Sequence, residues 1–311
     1  MRRFLSLTLA TSIACLTGLA AQPSPLVTDV RAAIKANDLP QAAKAIATYR
    51  AGKGVTAEML EALSWMGRGA LAAKDLEGAE KYARETHQLS IAMLKTRPLD
   101  QDARLPIALG AAIEVLGQLD AQRGARSEAV SFLRGEVAKF RGTSIEKRLQ
   151  KNINLLTLEG QPAPALDVAE YLGPKPPSLA SLKGKVVVLF FWAHWCSDCK
   201  AQGPILADLA AKYRDQGLVV FAPTQRFGYV AGGKPAPADE EMRYIDAVRQ
   251  QFYPVLAGQP VPVSEANHLR YGVSSTPTLV LVDRAGLIRM YNPGRLTMEQ
   301  LEPRIKSLLG S

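Results

Sequence analysis

The stretch VVVLFFWAHWCSDCK, residues 186–200, decides the fold of this chain. Its first seven residues form an uninterrupted apolar run, which predicts a strand buried on both faces of a sheet. Cys196 and Cys199 follow directly, and the residues from Cys196 to about 215 have helical spacing. The sequence therefore predicts a pair of cysteines at the point where a buried strand is succeeded by a helix.

That placement favours redox chemistry for the two cysteines. Backbone N–H groups at a helix N-terminus lack partners within the helix, and the helix dipole is positive there, so a thiolate on Cys196 is stabilised. The sulfur of Cys199, one turn along, can attack a mixed disulfide that forms on Cys196. We therefore expect Cys196 to be the attacking residue, Cys199 to be the resolving residue, and the pair to form a redox-active disulfide.

Other uses of the pair are less favoured. A structural disulfide of this span closes a very small loop and adds little stability. A zinc site needs two more ligands, and no other residues have the required spacing. Covalently attached haem needs a histidine where Lys200 stands. The sequence therefore predicts neither a metal nor a bound cofactor.

Elements on both sides of the cysteines complete a domain over residues 160–311. The predicted elements are a strand over 218–221, helices over about 239–252 and 264–271, strands over 278–282 and 287–291, and a last helix over about 297–309. A long polar insert occupies about 226–241. Strand–helix–strand followed by helix–hairpin–helix is the order of an α/β thioredoxin fold, in which helices flank a central mixed sheet.

A second feature supports this fold. The segment Ser275–Thr278 stands just before a predicted strand, where a proline is normally unfavourable. A cis bond between Thr276 and Pro277 removes that conflict and leaves the Thr276 backbone free to pair with an extended substrate. We expect Thr276 and Pro277 to form the substrate-binding turn beside the sulfurs.

Three segments resemble those of the TlpA/ResA-like periplasmic thioredoxins. They are FWAHWCSDC at 191–199, GQPAP at 160–164 and YGV at 271–273. The resemblance covers about 160–311. It implies a membrane-facing thiol–disulfide oxidoreductase, usually a reductase that receives electrons from a transmembrane carrier of the DsbD/CcdA kind. It also implies that Trp195 is the aromatic residue flanking the attacking cysteine.

The sequence departs from the family pattern at several positions. Phe190 stands where thioredoxin itself has a buried acid, and Gln202 stands where cytochrome-maturation members often have a glutamate that serves as a base. Asp198 lies between the cysteines, where its carboxylate disfavours a thiolate and can relay a proton. We therefore predict a reducing pair. A protonated His194 would act in the opposite direction to Asp198, but His194 is expected to be an exposed loop residue with no role.

The helical spacing of apolar residues in 22–159 predicts an all-helical domain of about seven helices. The segments DLPQA at 38–42 and DLEGA at 75–79 are 37 residues apart, and ARSEA at 125–129 is a fainter match. A small residue that recurs at such an interval is what stacked helix pairs need. The region resembles degenerate tetratricopeptide repeats, with an irregular bundle as the alternative. We expect it to bind a protein partner or to act as a spacer. His87, in this region, and His268, in the other half, are expected to be surface residues on helices.

Residues 1–21 are predicted to be a secretory signal peptide, because a cationic start is followed by an apolar run and small residues. An uncleaved anchor, or a lipoprotein modified at Cys15, is an alternative. Export to the periplasm or another oxidising compartment is the expectation, and cleavage leaves Cys196 and Cys199 as the only cysteines.

Composition limits the function further. The net charge of +9 is spread over both halves, and the densest basic stretch, at 139–151, contains only one aromatic residue. A solvated helix face is therefore favoured over a nucleic-acid or lipid contact, and we expect no nucleic-acid partner. After residue 25 the chain has no apolar run of about 20 residues, which excludes a protein with several membrane spans.

The sequence predicts an exported reductase of disulfides in client proteins. Disulfide oxidase or isomerase activity is the first alternative. A thiol peroxidase is disfavoured because Ala193 stands where peroxiredoxins need a threonine or serine, three residues before the attacking cysteine. The intact cysteine pair disfavours the remaining alternative, a binding module without catalytic activity.

Overall fold

The structure, a computed structural model, describes residues 24–310, so the predicted signal peptide lies outside the described residues. The first half of the described chain is helical, as predicted. Its helices are α1 (Pro25–Lys35), α2 (Leu39–Lys53), α3 (Ala57–Ala72), α4 (Leu76–Met93), α5 (Leu105–Gln122), α6 (Arg126–Lys139) and α7 (Glu146–Thr157).

The short segments that resemble one another begin equivalent helices. Asp38 and Asp75 are the N-caps of α2 and α4, and each side chain accepts a hydrogen bond from a backbone N–H in the first turn. The alanines at the ends of the three segments, Ala42, Ala79 and Ala129, have no solvent exposure. They lie where α2, α4 and α6 pack against neighbouring helices, and a larger side chain has no space there.

The helices stack in a regular order. The odd-numbered helices pack against one another in sequence, and each even-numbered helix lies against the odd-numbered helices before and after it. This is the arrangement of stacked helix pairs, in which each pair contacts only its neighbours. Between residues 24 and 310, no helix has both the length and the apolar character needed to cross a bilayer.

The second half contains the sheet. Its elements are β1 (Tyr171–Leu172), β2 (Val186–Phe191), α8 (Ser197–Tyr213), β3 (Leu218–Phe221), α9 (Ala238–Phe252), β4 (Val261–Pro262), α10 (Glu265–Arg270), β5 (Thr278–Val282), β6 (Ile288–Pro293) and α11 (Met298–Leu309). The main sheet has the order β3-β2-β5-β6, with β2 parallel to β3 and antiparallel to β5. The predicted thioredoxin fold is confirmed. The small antiparallel pair that β1 forms with β4 was not predicted from the sequence.

Strand β2 is at the centre of two apolar layers. Every residue of β2 is buried. Val186, Val188 and Phe190 face one layer, together with residues of α8, α9 and α11. The alternate residues face the opposite layer, which contains Tyr271 and Tyr291. The alternation follows from the two-residue period of a strand, and burial on both faces explains the uninterrupted apolar run.

The two halves touch through α7, which packs against α10 and β6. The side-chain amide of Asn154 donates a hydrogen bond to the carbonyl oxygen of Arg270 at 3.3 Å, and Lys147 forms an ion pair with Glu265 at 2.7 Å. Gly272 comes so close to α7 that a Cβ atom on it would lie 2.4 Å from the backbone nitrogen of Lys151. Helix α7 is therefore the element that joins the helical half to the sheet.

Candidate active site

The two cysteines lie at the start of α8, directly after β2 and its connecting loop. Cys196 is the N-cap of α8 and forms a disulfide with Cys199. The backbone N–H of Cys199 points at the Cys196 sulfur, with 3.0 Å between nitrogen and Sγ. Cys199 has no exposed surface, whereas Cys196 retains 3%. The two sulfurs therefore differ in surroundings: the one nearer to solvent also faces the free N–H groups of the helix start.

The segment before β5 lies against this disulfide. The Thr276–Pro277 peptide bond is cis, and the carbonyl oxygen of Thr276 lies 3.4 Å from the Cys196 Sγ. The hydroxyl of Thr278 donates to the carbonyl oxygen of Ser275 at 2.8 Å, and the N–H of Gly294 donates to the carbonyl oxygen of Pro277 at 2.8 Å. These bonds hold the turn in place, so its backbone is presented at the sulfur.

Trp195 and Asp198 form part of the outer rim of the site. Trp195 is half exposed, and its ring stands edge-on to that of Phe227 with 5.6 Å between centroids. The exposed carboxylate of Asp198 lies 3.5 Å from the guanidinium of Arg295, in the loop after β6. Arg295 was not singled out from the sequence, because its nearness to Asp198 depends on the tertiary fold.

Gln202 lies beneath the cysteines, one helical turn after Cys199, and is fully buried. Its Oε1 accepts a hydrogen bond from the backbone N–H of Leu296 at 2.9 Å. Its Nε2 is buried and has no hydrogen-bond partner among the residues that the structure describes. Gln202 thus connects α8 to the start of α11, and its amide cannot accept the proton of Cys199 as a carboxylate could.

The expectation for His194 was wrong. The residue is almost completely buried, and its Nε2 lies 3.4 Å from the Oε1 of Glu241. The rings of Phe227, Tyr229 and Tyr244 surround the imidazole in edge-on contacts. Burial lowers the pKa of His194, against the opposite effect of the Glu241 carboxylate. The histidine is buried because the polar insert folds over it.

The insert is ordered by a buried carboxylate at the start of α9. Glu241 has almost no exposure, and it accepts hydrogen bonds from the backbone N–H groups of Phe227 and Gly228, the latter at 2.9 Å. A carboxylate that receives two backbone donors fixes the chain that carries them. The segment 226–237 is therefore held against the active site, and Phe227 is held against Trp195. No pattern in the sequence identified Glu241, because it is one of three consecutive acidic residues.

The expectation for His268 was also wrong. It is buried beneath the site, edge-on to Phe191 at 5.5 Å, and its Nδ1 lies 3.3 Å from the carbonyl oxygen of Ser264. Burial, and secondarily the nearby Lys147, lower the pKa of His268 to about 3. The short helix α10 lies between the sheet and α7, and this is why its histidine does not reach solvent.

The structure thus brings the sequence-predicted site residues together. Cys196, Cys199, Thr276 and Pro277 form one cluster, with Trp195 and Asp198 at its rim and Gln202 below it. Within residues 24–310, no group of three or more His, Cys, Asp or Glu side chains is placed to hold a metal ion. The cluster can exchange two electrons as a dithiol and its disulfide.

A thioredoxin fold with a Cys-X-X-Cys pair at the start of a helix, facing a cis-proline turn, defines a thiol–disulfide oxidoreductase. The family model described as "AhpC/TSA family" matches residues 160–291. The thiol-disulfide oxidoreductase ResA of Bacillus thuringiensis (strain Al Hakam) is 30% identical over 155 residues, which cover 48% of this chain and 78% of that protein. The chain therefore belongs to the ResA-like thiol–disulfide oxidoreductases of the thioredoxin family.

Two further proteins are each similar to part of the chain. The thioredoxin-like protein YneN of Bacillus subtilis (strain 168) is 28% identical over 147 residues, covering 47% of this chain and 78% of that protein. The crystal structure of the exposed lipoprotein thioredoxin Etrx1 of Streptococcus pneumoniae strain TIGR4 has 29% identity and a TM-score of 0.34, and the match covers 42% of this chain and 91% of that one.

Proposed function

We propose that this protein is an exported reductase of disulfides in client proteins, with Cys196 as the attacking and Cys199 as the resolving residue. The observation that carries the proposal is the position of the Thr276 carbonyl oxygen, 3.4 Å from the Cys196 sulfur. An extended client segment that pairs with this backbone would place its own disulfide beside Cys196. Trp195, half exposed at the rim, adds apolar contact area for that segment.

The reaction uses the two thiols in turn. The thiolate of reduced Cys196 attacks one sulfur of the client disulfide, forms a mixed disulfide and releases the other client sulfur as a thiolate. The Cys199 thiolate then attacks the Cys196 sulfur and releases the second client thiolate. Two electrons pass to the client, and the enzyme is left with the Cys196–Cys199 disulfide that the structure contains. An external dithiol must reduce that disulfide before the next turnover.

Charges around the site favour the reducing direction. A strongly oxidising pair needs a stabilised thiolate in the reduced form. Here the carboxylate of Asp198 lies in the first turn of α8 and opposes a negative charge on Cys196. Burial lowers the pKa of His194, so this imidazole is uncharged at neutral pH and contributes no compensating positive charge. The remaining stabilisation comes from the helix N-terminus and from Arg295, which offsets part of the Asp198 charge.

Export and the external reductant belong to the same proposal. A reductase in an oxidising compartment needs a continuous supply of electrons, and a membrane carrier of the DsbD/CcdA kind would provide them. We assign residues 1–21 to a signal peptide, 22–159 to a tetratricopeptide-like domain that binds a protein partner, and 160–311 to the catalytic domain. The stacked helix pairs support the second assignment, since such stacks present extended binding surfaces.

The direction of the reaction is tested by equilibrating the protein with glutathione buffers of known potential. We expect a reduction potential below about −200 mV, in the range of glutaredoxins and thioredoxin. A value near about −120 mV, that of the strong oxidant DsbA, would overturn the reductase proposal and favour an oxidase. Consumption of hydrogen peroxide at the expense of dithiothreitol, dependent on Cys196, would instead indicate a peroxidase.

The roles of the two cysteines are tested by trapping. A Cys199→Ser protein cannot resolve the mixed disulfide, so it is expected to accumulate client proteins covalently bound to Cys196. A Cys196→Ser protein serves as the control and should trap none. Equal trapping by both variants, or trapping by the Cys196→Ser protein alone, would contradict the assignment.

A further inference from the structure

A large cleft lies between the two halves of the molecule, next to the substrate-binding turn. Its volume is about 940 Å³, within the size range of ligand-binding sites. Helices α3, α5 and α7 form one wall with Arg68, Glu114, Arg148 and Lys151, and the segment Val273–Ser275 forms the other. The cleft is therefore built by both halves.

The wall of the cleft that the helices form carries more positive than negative charge. The carboxylate of Glu114 is shared by Arg148 at 2.8 Å and Lys151 at 3.0 Å. These two cations hold the pKa of Glu114 down at about 2, against the effect of its burial. The guanidinium of Arg68 stacks on the ring of Trp65, and it makes no ion pair with any carboxylate in the described chain. Three cations therefore surround Glu114, and Glu61, the other carboxylate that acts on Arg68, is itself paired with Arg104.

The other two acidic residues of the cleft, Asp100 and Asp102, contact residues outside the cluster around Glu114. Asp102 forms an ion pair with Arg97 at 3.2 Å and accepts a hydrogen bond from the N–H of Leu105 at the start of α5. Asp100 accepts hydrogen bonds from Ser144, a neutral residue that also lines the cleft, and so it keeps its negative charge. The remaining cation that lines the cleft, Lys147, is paired with Glu265. The cluster of Arg68, Arg148 and Lys151 around Glu114 thus keeps its positive excess.

Arg68 is in an unusual position for an arginine. Burial, with a contribution from the neighbouring Arg148, lowers its pKa to about 10. A cation that is partly removed from water and lacks a carboxylate partner gains more from an anionic ligand than an exposed cation would. The guanidinium is also suited to binding a carboxylate through two parallel hydrogen bonds.

Along the chain, the cleft ends one residue before the turn that faces the disulfide. Val273, Ser274 and Ser275 line the cleft, and the next residue is Thr276, whose carbonyl oxygen faces the Cys196 sulfur. Ser274 and Ser275 are exposed. Consecutive Cα atoms are about 3.8 Å apart, so the three residues from Ser274 to Thr276 span about 8 Å. A polypeptide that pairs with Thr276 therefore enters the cleft within two or three residues of its cysteine.

We infer that this cleft binds acidic side chains that flank the disulfide of the client polypeptide, and that Arg68 is the main residue selecting them. The inference rests on the proposed reductase function, because it concerns the clients of the same site. It gives the helical half a part in client selection, since Arg68, Arg148 and Lys151 all come from that half.

The test uses two fluorogenic peptides with the same intramolecular disulfide, one with glutamates and one with glutamines on both sides of the cysteines. With the full-length reduced protein, kcat/KM is expected to be about tenfold higher for the acidic peptide, the factor that corresponds to about 1.4 kcal/mol. Arg68→Met should remove most of this preference, Arg68→Lys should retain part of it, and 0.5 M salt should weaken it. Arg304→Met is the matched control, because Arg304 is exposed on α11 and does not line the cleft.

The outcomes separate the two proposals. Equal reduction of both peptides by the unmodified protein, or a preference that Arg68→Met leaves intact, would overturn the inference while the reductase function stands. Failure to reduce either peptide, with dithiothreitol still able to reduce the active-site disulfide, would instead contradict the reductase function. A loss that is equal for both peptides in Arg68→Met would indicate a structural role and would also overturn the inference.

Discussion

The negative charge of Asp198 opposes the formation of a thiolate on Cys196. The carboxylate lies in the first turn of α8, two residues after Cys196, and Arg295 at 3.5 Å offsets part of its charge. Asp198→Asn removes the repulsion and should stabilise the Cys196 thiolate. We expect the thiol pKa to fall and the reduction potential to rise by about 10–20 mV, since about 30 mV corresponds to 1.4 kcal/mol. Glutathione equilibration and thiolate absorbance measure the two quantities.

A matched control is available on the same helix. Asp208 is exposed on α8, more than two turns from the cysteines, and Asp208→Asn removes the same charge at a greater distance. We expect it to leave the potential within about 5 mV, because exposed charges are screened over about a Debye length. If Asp198→Asn gave a potential that was unchanged or more negative, the account of Asp198 as a residue that disfavours the thiolate would be wrong.

The buried His268 makes stability depend on pH. Burial lowers its pKa to about 3, whereas the unfolded chain has an ordinary histidine pKa of about 6.5. Between these values the unfolded state binds a proton that the native state does not, so the free energy of unfolding decreases as the pH falls. This one residue contributes a slope of about 1.4 kcal/mol per pH unit. The stability is retained above pH 6.5 and is lost progressively as the pH falls towards 3.

Comparison with His268→Asn isolates that slope. At pH 8 the histidine is neutral in both the folded and the unfolded state, so any loss of stability in His268→Asn at this pH does not involve a proton. The difference between the two proteins at pH 8 is therefore subtracted from the differences at lower pH. Between pH 6.5 and 4 the variant should show a shallower decline, by about 1.4 kcal/mol per pH unit, in urea titrations followed by circular dichroism. Parallel pH profiles for the two proteins would show that His268 does not titrate as its burial requires.

At the scale of the element, the insert between β3 and α9 depends on one side chain. Glu241 accepts hydrogen bonds from the N–H groups of Phe227 and Gly228, and it is buried. Glu241→Ala removes the acceptor from both N–H groups, which belong to a half-buried and an exposed residue, so about 0.5–1.5 kcal/mol is lost for each hydrogen bond. We expect faster hydrogen exchange over 226–237 and a shift in the fluorescence of Trp195, because Phe227 no longer holds its position.

Asp239→Ala is the control for this change. Asp239 belongs to the same turn of α9, is exposed and pairs only with Arg243 at 3.1 Å. Its loss should alter stability by less than about 0.5 kcal/mol and leave the exchange of the insert unchanged. An insert that remains equally protected in Glu241→Ala would show that other contacts hold it.

Sequence patterns predicted most elements because those elements are governed by local rules. The apolar run at 186–191 reports burial on both faces of a strand, and the strand 278–282 has the predicted bounds. The fates of His194 and His268 could not be predicted in this way. The sequence around His194 is typical of a loop, and that around His268 is typical of a helix. His194 is buried by the insert and His268 by α7, and both of these elements are distant from the histidine in sequence. The pairing of Asp198 with Arg295 depends in the same way on a contact between residues 97 positions apart.

At the scale of the whole molecule, the two halves are in close contact at Gly272. This residue has a φ of +60°, and a Cβ there would lie 2.4 Å from the Lys151 nitrogen in α7. Gly258 has a φ of +67° and open space around it, so Gly258→Ala carries only the left-handed strain, about 1–2 kcal/mol. Gly272→Ala adds a clash with backbone, which should cost a further 1–3 kcal/mol and increase hydrogen exchange in both α7 and α10. If the two variants had equal free energies of unfolding, the close approach of Gly272 to α7 would add nothing to stability, and this account of how the halves are held together would be wrong.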